Sequence, residues 1–124
     1  MPWSLASDRP IYAQLVERIK TDIISGVYPP GQRLPSVREL AAQASVNPNT
    51  MQKAFAELER TGLIITMRTS GRIVTEDIDM LNHTKKELAQ EQIALFLAQM
   101  YKLGYQKSEI IALLNNQEGG EKHE

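Results

Sequence analysis

The chain has 124 residues, 42% hydrophobic and 23% charged, a composition typical of a soluble globular protein and not of a disordered one. It has no cysteine, which excludes disulfides and thiolate sites; it also has no apolar run approaching the ~18 residues that span a bilayer and no secretory signal pattern. The net charge of −1 divides unevenly, because residues 1–75 carry nine Lys/Arg against six Asp/Glu and residues 76–124 carry five against nine. The first part is therefore better suited to contact a polyanion, and a cytosolic protein without membrane contact is expected.

The first predicted helix follows Asp8, which is expected to cap it, with Pro10 near its first turn. Apolar residues recur every fourth position, which predicts an amphipathic helix. These residues are Ile11, Leu15, Ile19 and Ile23. Gly26 ends the helix, and the sequence Tyr28-Pro29-Pro30-Gly31 cannot continue it.

Two short helices come next, separated by a break at residues 45–47. Ser36 and Glu39 have capping-box spacing and open a helix that runs to about Ala44. Asn47 is expected to cap the following helix, with Pro48 at its first position, and Gly62 supplies its left-handed stop. The buried positions of this helix are predicted to be Met51, Ala54, Phe55 and Leu58. Two helices joined by so short a break form a helix-turn-helix.

A β-hairpin is predicted after the second of these helices. Residues 63–67 are apolar and rich in β-branched side chains, residues 68–71 form a four-residue tip, and residues 72–75 return as the second strand. Arg68 and Arg72 flank the tip and give it a positive charge. The hairpin therefore forms the wing of a winged helix-turn-helix, and residues 1–75 form the predicted DNA-binding domain.

Residues 76–124 are predicted to form a two-helix appendage that makes a homodimer. A long helix from about Asp79 to Lys102 carries a coiled-coil-like stripe of Ala89, Ile93, Phe96, Met100 and Leu103, with Leu81, Leu88 and Leu95 beside it. Gly104 stops this helix, and Ser108 with Glu109 opens a last short one. Two helices cannot bury two apolar faces against each other, so a second copy is expected to cover one. The alternative is that the long helix packs only on its own winged domain. The predicted dimer interface consists of Leu88, Ile93, Phe96, Met100 and Leu103.

The residues from 34 to 62 resemble the DNA-binding domain of the GntR family of bacterial transcription regulators. Leu34 to Ala41 matches the signature L-P-S-x-R-x-L-A, and Asn47 to Gly62 matches the recognition-helix pattern, ending in Leu58-Glu59-x-x-Gly62. The resemblance covers roughly residues 10–75. The remainder, with Leu103-Gly104-Tyr105 and Ser108-Glu109-x-Ile111, is similar to the YtrA-like subfamily, in which two helices replace a large effector domain.

The resemblance implies a mainly helical fold with a small β-hairpin, and a sequence-specific transcriptional regulator acting as a homodimer on a palindromic operator. It favours repression over activation, and genes for ABC transporters are the implied targets. The alternative function is a winged-helix module that binds proteins and has no specific affinity for DNA. The second domain is too short for the closed ligand domain of larger relatives. It leaves open a small-molecule effector held beside the appendage or at the dimer seam.

The predicted DNA contacts lie at the start of the two short helices and on the wing. In a helix-turn-helix, the first residues of the second helix approach base edges in the major groove. The predicted contact residues are Arg38, Asn47, Pro48, Asn49, Thr50, Gln52, Lys53, Arg68, Ser70, Gly71 and Arg72. The resemblance itself implies Arg38, Asn47, Asn49, Thr50, Gln52 and the region of Gly71. Asn and Gln can bond adenine in bidentate fashion, which favours A·T-rich sites.

Simpler explanations stay open for some of these residues. Capping alone would explain Asn47, and Arg38, Gln52 and Lys53 could be solvated side chains. The chain also departs from the family pattern twice. Pro48 stands where the family often has a basic residue, and Thr69 stands where the wing commonly has the first of two glycines. The wing is therefore expected to turn differently from the family's usual one.

Catalysis is not expected, and no cofactor or metal is implied. The two histidines, His83 and His123, lack metal-ligand spacing, and no glycine-rich phosphate loop is present. Asp77 and Asp79 form a D-x-D pair, which is better explained as acids at a helix start.

Overall fold

The computed structural model describes residues 3–117, which form five helices and one antiparallel hairpin. In chain order the elements are α1 (Ile11–Ile24), α2 (Val37–Ala44), α3 (Pro48–Thr61), β1 (Ile64–Met67), β2 (Gly71–Val74), α4 (Ile78–Lys102) and α5 (Lys107–Asn115). The predicted fold class, mainly helical with a small hairpin, is confirmed. None of the described helices is long and apolar enough to cross a bilayer.

Two compact units divide within α4, after Lys86. The sequence-based division into a DNA-binding domain and a dimerisation region at residues 75 and 76 rests on a change of composition and of role, so it stays a prediction.

The core of the first unit is built around α3, which packs against α1, α2 and β1. Phe55 is fully buried in it. All four positions predicted to be buried on α3 are buried, as are Leu15, Ile19 and Ile23 of α1, and Ile11 is half-buried against the same core. The apolar periodicity therefore identified the inner faces of both helices.

The start of α1 differs from the prediction. Pro10 occupies the N-cap position, and no side chain caps the helix, so the expected cap by Asp8 is wrong. The buried side chain of Gln14 holds the preceding segment instead. Its amide accepts from the backbone N–H of Ala6 (2.7 Å) and donates to the carbonyl of Ala6 (2.8 Å). Because Gln14 satisfies these backbone groups from inside the helix, the approach to α1 is fixed without an Asp cap.

The caps predicted for α2 and α3 are confirmed. The Ser36 hydroxyl accepts from the backbone N–H of Glu39 (3.1 Å), while the Glu39 carboxylate accepts from the backbone N–H of Ser36 (2.8 Å). Asn47 caps α3 through the backbone N–H of Asn49 (2.7 Å), and Gly62 ends it with a φ of +91°. These local rules set the lengths of both helices and of the turn between them.

The wing is a hairpin with a shorter tip than predicted. Ile64 pairs with Val74, Ile65 with Ile73, Thr66 with Arg72 and Met67 with Gly71. The tip therefore has three residues, 68–70, and Gly71 begins β2 with a φ of +75°. A three-residue hairpin loop commonly ends in a left-handed residue, and glycine adopts that conformation without strain. The single glycine of this wing is thus sufficient for the turn.

The segment before α2 lies along the wing like a short third strand. Arg33 forms an isolated antiparallel bridge with Ile73, and the backbone N–H of Leu34 donates to the carbonyl of Arg72 (2.9 Å). The extended piece expected beside Leu34 is therefore the edge that carries the wing strand β2.

The helix α4 begins close to the predicted position. The Asp77 carboxylate accepts from the backbone N–H of Met80 (3.1 Å), so this acid serves the helix start as expected. The predicted opening of α5 by Ser108 is wrong. The helix begins at Lys107, and the Glu109 carboxylate accepts from the backbone N–H of Gln106 (2.7 Å), because a glutamate at the third helical position reaches back three residues.

Candidate nucleic-acid interface

The first turn of α3 presents polar side chains to solvent on a rigid base. Met51, in the same turn, is fully buried and fixes the orientation of the helix. The predicted contact residues here are Asn47, Pro48, Asn49, Thr50, Gln52 and Lys53, all exposed except the half-buried Thr50. The structure therefore brings the six predicted α3 positions together at one exposed helix end. Polar side chains with this exposure can reach base edges in a groove as wide as the major groove.

Asn47 is committed to its capping role. Its side-chain oxygen accepts from the backbone N–H of Asn49 at 2.7 Å. A bidentate contact to adenine needs both the oxygen and the nitrogen of the amide, so a capping Asn47 is left only its amide nitrogen as a donor. Asn49 and Gln52, which are exposed, keep both groups for base readout.

Arg38 lies in the first turn of α2, is exposed and forms no ion pair within residues 3–117. The neighbouring Glu39 carboxylate fills the N-terminus of α2, and its hydrogen bond to the Ser36 backbone holds the pKa of Glu39 below its usual range. An ionised carboxylate at this end disfavours a phosphate on the backbone N–H groups. Arg38 is therefore the group through which α2 can contact the DNA backbone.

The predicted wing residues have different surroundings. Arg68, Ser70 and Gly71 are exposed. Arg72 is half-buried, with its Nε 3.3 Å from the Glu59 carboxylate of α3. Of the two wing arginines, only Arg68 has a fully exposed position.

Arg33 was not predicted, and it lies beside the wing. A small cleft of about 100 Å³ is lined by Arg33, Leu34, Pro35, Ser36, Gly71 and Arg72. The Arg33 Nε lies 3.5 Å from the point that a Cβ on Gly71 would occupy. This closeness depends on the backbone bridge between Arg33 and Ile73, so no local sequence signal could have revealed it.

Negative charge lies at the opposite end of α3. Glu57 pairs with Arg60 at 2.6 Å, and this hydrogen bond lowers the pKa of Glu57 and raises the pKa of Arg60. Glu57 is therefore ionised at neutral pH. Since a helix N-terminus is itself the positive end of the backbone dipole, the charges of α3 favour its first turn as the end facing phosphate.

No group of three or more metal-binding side chains occurs among the described residues. His123 lies outside them.

The chain is similar to known transcriptional regulators over most of its length. The model for bacterial regulatory proteins of the gntR family matches residues 11–74. The HTH-type transcriptional repressor YtrA of Bacillus subtilis (strain 168) is 42% identical over 88 residues, which cover 70% of this chain and 68% of YtrA.

Two solved structures extend this similarity to the fold and to DNA. A GntR family transcriptional regulator from Listeria monocytogenes has a TM-score of 0.81 and 41% identity, covering 92% of this chain and 100% of that one. The DNA-binding domain of AraR, in complex with operator ORE1, has a TM-score of 0.51 and 32% identity, covering 60% of this chain and 94% of that one.

Proposed function

Because the chain belongs to the gntR family of bacterial regulatory proteins, which are transcriptional regulators and not enzymes, we propose that it is a repressor that binds a palindromic operator as a homodimer. The observation that carries this proposal is the exposed polar first turn of α3, held in place by a fully buried face. In this arrangement Asn49 and Gln52 read base edges, while Arg38 and Lys53 contact phosphates. Arg68 and Ser70 of the wing tip, beside Gly71, contact the adjacent groove or backbone.

The apolar surface of the second unit supports dimerisation. Ile93, Phe96 and Leu103 are 55%, 39% and 73% exposed, and Leu88 and Met100 are half-buried. The helix α5 adds Ile111, Leu113 and Leu114, which are at least 41% exposed. Contiguous apolar surface of this kind marks protein interfaces in soluble proteins. A second copy of the same surface would cover it with two-fold symmetry.

Two-fold symmetry places two reading heads on one duplex. The half-sites are expected about one helical turn apart, or ~34 Å between centres. Genes for ABC transporters, implied by the resemblance to YtrA-like regulators, are the first candidates for targets. The predicted small-molecule effector stays a prediction.

Selection from a random duplex library, followed by a salt titration, tests the proposal. The protein should enrich a palindromic sequence and bind it at least ~10³-fold more tightly than a scrambled duplex of the same length. The logarithm of the affinity should fall with the logarithm of salt concentration by about 0.9 for each phosphate contact.

A protein-interaction module gives a different result. It would enrich no sequence and would prefer no duplex over the scrambled control at any salt concentration, and that outcome would overturn the proposed function.

A further inference from the structure

One carboxylate of α3 bonds both strands of the wing. The Glu59 Oε2 accepts from the hydroxyl of Thr66 on β1 and from the Nε of Arg72 on β2, the latter at 3.3 Å. Thr66 and Arg72 are register partners, directly opposite each other in the hairpin. Glu59 therefore grips one rung of the wing from both sides.

The surroundings of Arg72 strengthen this contact. Its guanidinium lies 5.2 Å from the ring centroid of Phe55, the fully buried residue of α3. The side chains of Glu59 and Arg72 are each only 28% exposed. A partly desolvated ion pair over an aromatic ring is screened less than a surface pair, so it can hold a fixed geometry.

The position of this rung determines what the contact controls. Only the pair of Met67 and Gly71 separates it from the tip at residues 68–70. A two-stranded hairpin is marginally stable by itself, so the direction of the tip depends on what anchors its strands. The lower rung of Ile64 and Val74 is buried, while the Glu59 contact anchors the hairpin near its exposed end.

We propose that Glu59 is a positioning residue for DNA recognition, which holds the wing tip and the first turn of α3 in the geometry that engages one duplex. Arg72 serves as the tie between Glu59 and the wing and is not a phosphate contact. The inference rests on the proposed DNA binding, and it assigns to Glu59 and Arg72 a role distinct from that of the exposed Arg68.

The decisive comparison is between Glu59→Gln and Glu57→Gln. Both variants remove one negative charge from the same helix, and simple electrostatics predicts slightly tighter DNA binding for both. Glu57 pairs with Arg60 on α3 itself and does not touch the wing through any of the contacts found among residues 3–117. We expect Glu57→Gln to bind the selected duplex as tightly as the wild type or more tightly. Glu59→Gln should bind it roughly tenfold more weakly, because the loosened wing must be ordered on binding.

Arg72→Gln and Arg68→Gln separate positioning from direct contact. Arg72→Gln should weaken binding as Glu59→Gln does, without adding to it in the double variant, and should leave the salt dependence unchanged. Arg68→Gln should instead lower the salt slope by about 0.9 for each wing that loses a phosphate contact. Circular dichroism at the binding temperature verifies that each variant is folded.

Two results would overturn the positioning role. One is a Glu59→Gln protein that binds like Glu57→Gln, and the other is a lowered salt slope for Arg72→Gln. A wild-type protein that selects no duplex would overturn the proposed function first, so the two failures are distinguishable.

Discussion

At the scale of single residues, Ser36 determines where α2 begins. Its hydroxyl satisfies the backbone N–H of Glu39, one of the groups that a helix start leaves without an intrahelical partner. Ser36→Ala should therefore lower the free energy of unfolding by about 1 kcal/mol. Urea unfolding at pH 7 measures this, because Glu39 is then ionised and completes the capping box.

Ser108→Ala is the matched control for this prediction. Ser108 lies within the first turn of α5 and does not cap it, so its replacement should change stability by less than about 0.5 kcal/mol. An equal loss in both variants would contradict the capping assignments.

The side chains at the start of α3 differ in what they can report about DNA. Gln52 carries both a donor and an acceptor and can discriminate bases, whereas Lys53 is a point charge suited to phosphate. Gln52→Ala should cost about 1–3 kcal/mol on the selected duplex and relax preference at one base pair of each half-site. Lys53→Ala should weaken binding to selected and scrambled duplexes alike. Competition binding against single-base variants measures both effects, and a Gln52→Ala protein with unchanged base preference would contradict the assignment.

At the scale of elements, Gly62 links the end of α3 to the start of the wing. Its φ of +91° is left-handed, and a Cβ there would lie 2.9 Å from the methyl of Met80. Gly62→Ala should destabilise the protein by about 1–2 kcal/mol from the backbone conformation, with an added cost for moving Met80. Thermal or urea unfolding measures the loss.

Gly26→Ala separates the two contributions. Gly26 has nearly the same φ, +93°, and nothing lies within 4 Å of its added Cβ. It should show the conformational cost alone, and a loss equal to that of Gly62→Ala would show that Met80 gives way freely.

The elements also mark which features the sequence could predict. The caps at Ser36, Asn47 and Gly62 follow from interactions within four residues of the chain, and all three are confirmed. The expected caps at Asp8 and Ser108 are wrong, because suitable neighbours, Gln14 and Glu109, satisfy the same ends in other ways. Local pattern alone does not choose between competing hydrogen-bond partners.

The surroundings of the wing depended on contacts distant in sequence. The Glu59 carboxylate bonds residues 7 and 13 positions further along the chain. Arg33 approaches Gly71 only because the segment before α2 pairs with β2. The predicted contact set could therefore include Arg72 for its charge, but could not show that Glu59 engages it.

At the scale of the whole molecule, the chain separates charge and apolar surface along its sequence. The first 75 residues carry the excess of Lys/Arg, and the residues after them carry the excess of Asp/Glu. Repulsion from phosphate favours an appendage that stays off the DNA and leaves its apolar side for another protein surface. Phe96 and Met100 of α4 and Ile110, Leu113 and Leu114 of α5 line one groove in the second unit. The proposed dimer would fill this groove with side chains from a second copy.

Met100→Glu tests that arrangement, because it places one charge from each protomer within the proposed seam. An uncompensated buried charge costs about 3–5 kcal/mol, so the dimer dissociation constant should rise at least ~100-fold and operator binding should weaken with it. Ala98→Glu is the control, since Ala98 is exposed and two residues away along α4, on roughly the opposite side of the helix. Sedimentation equilibrium measures the association, and circular dichroism should show both variants folded. A Met100→Glu protein that remains as dimeric as Ala98→Glu would place the seam elsewhere, and the second reading head would then need another means of reaching the operator.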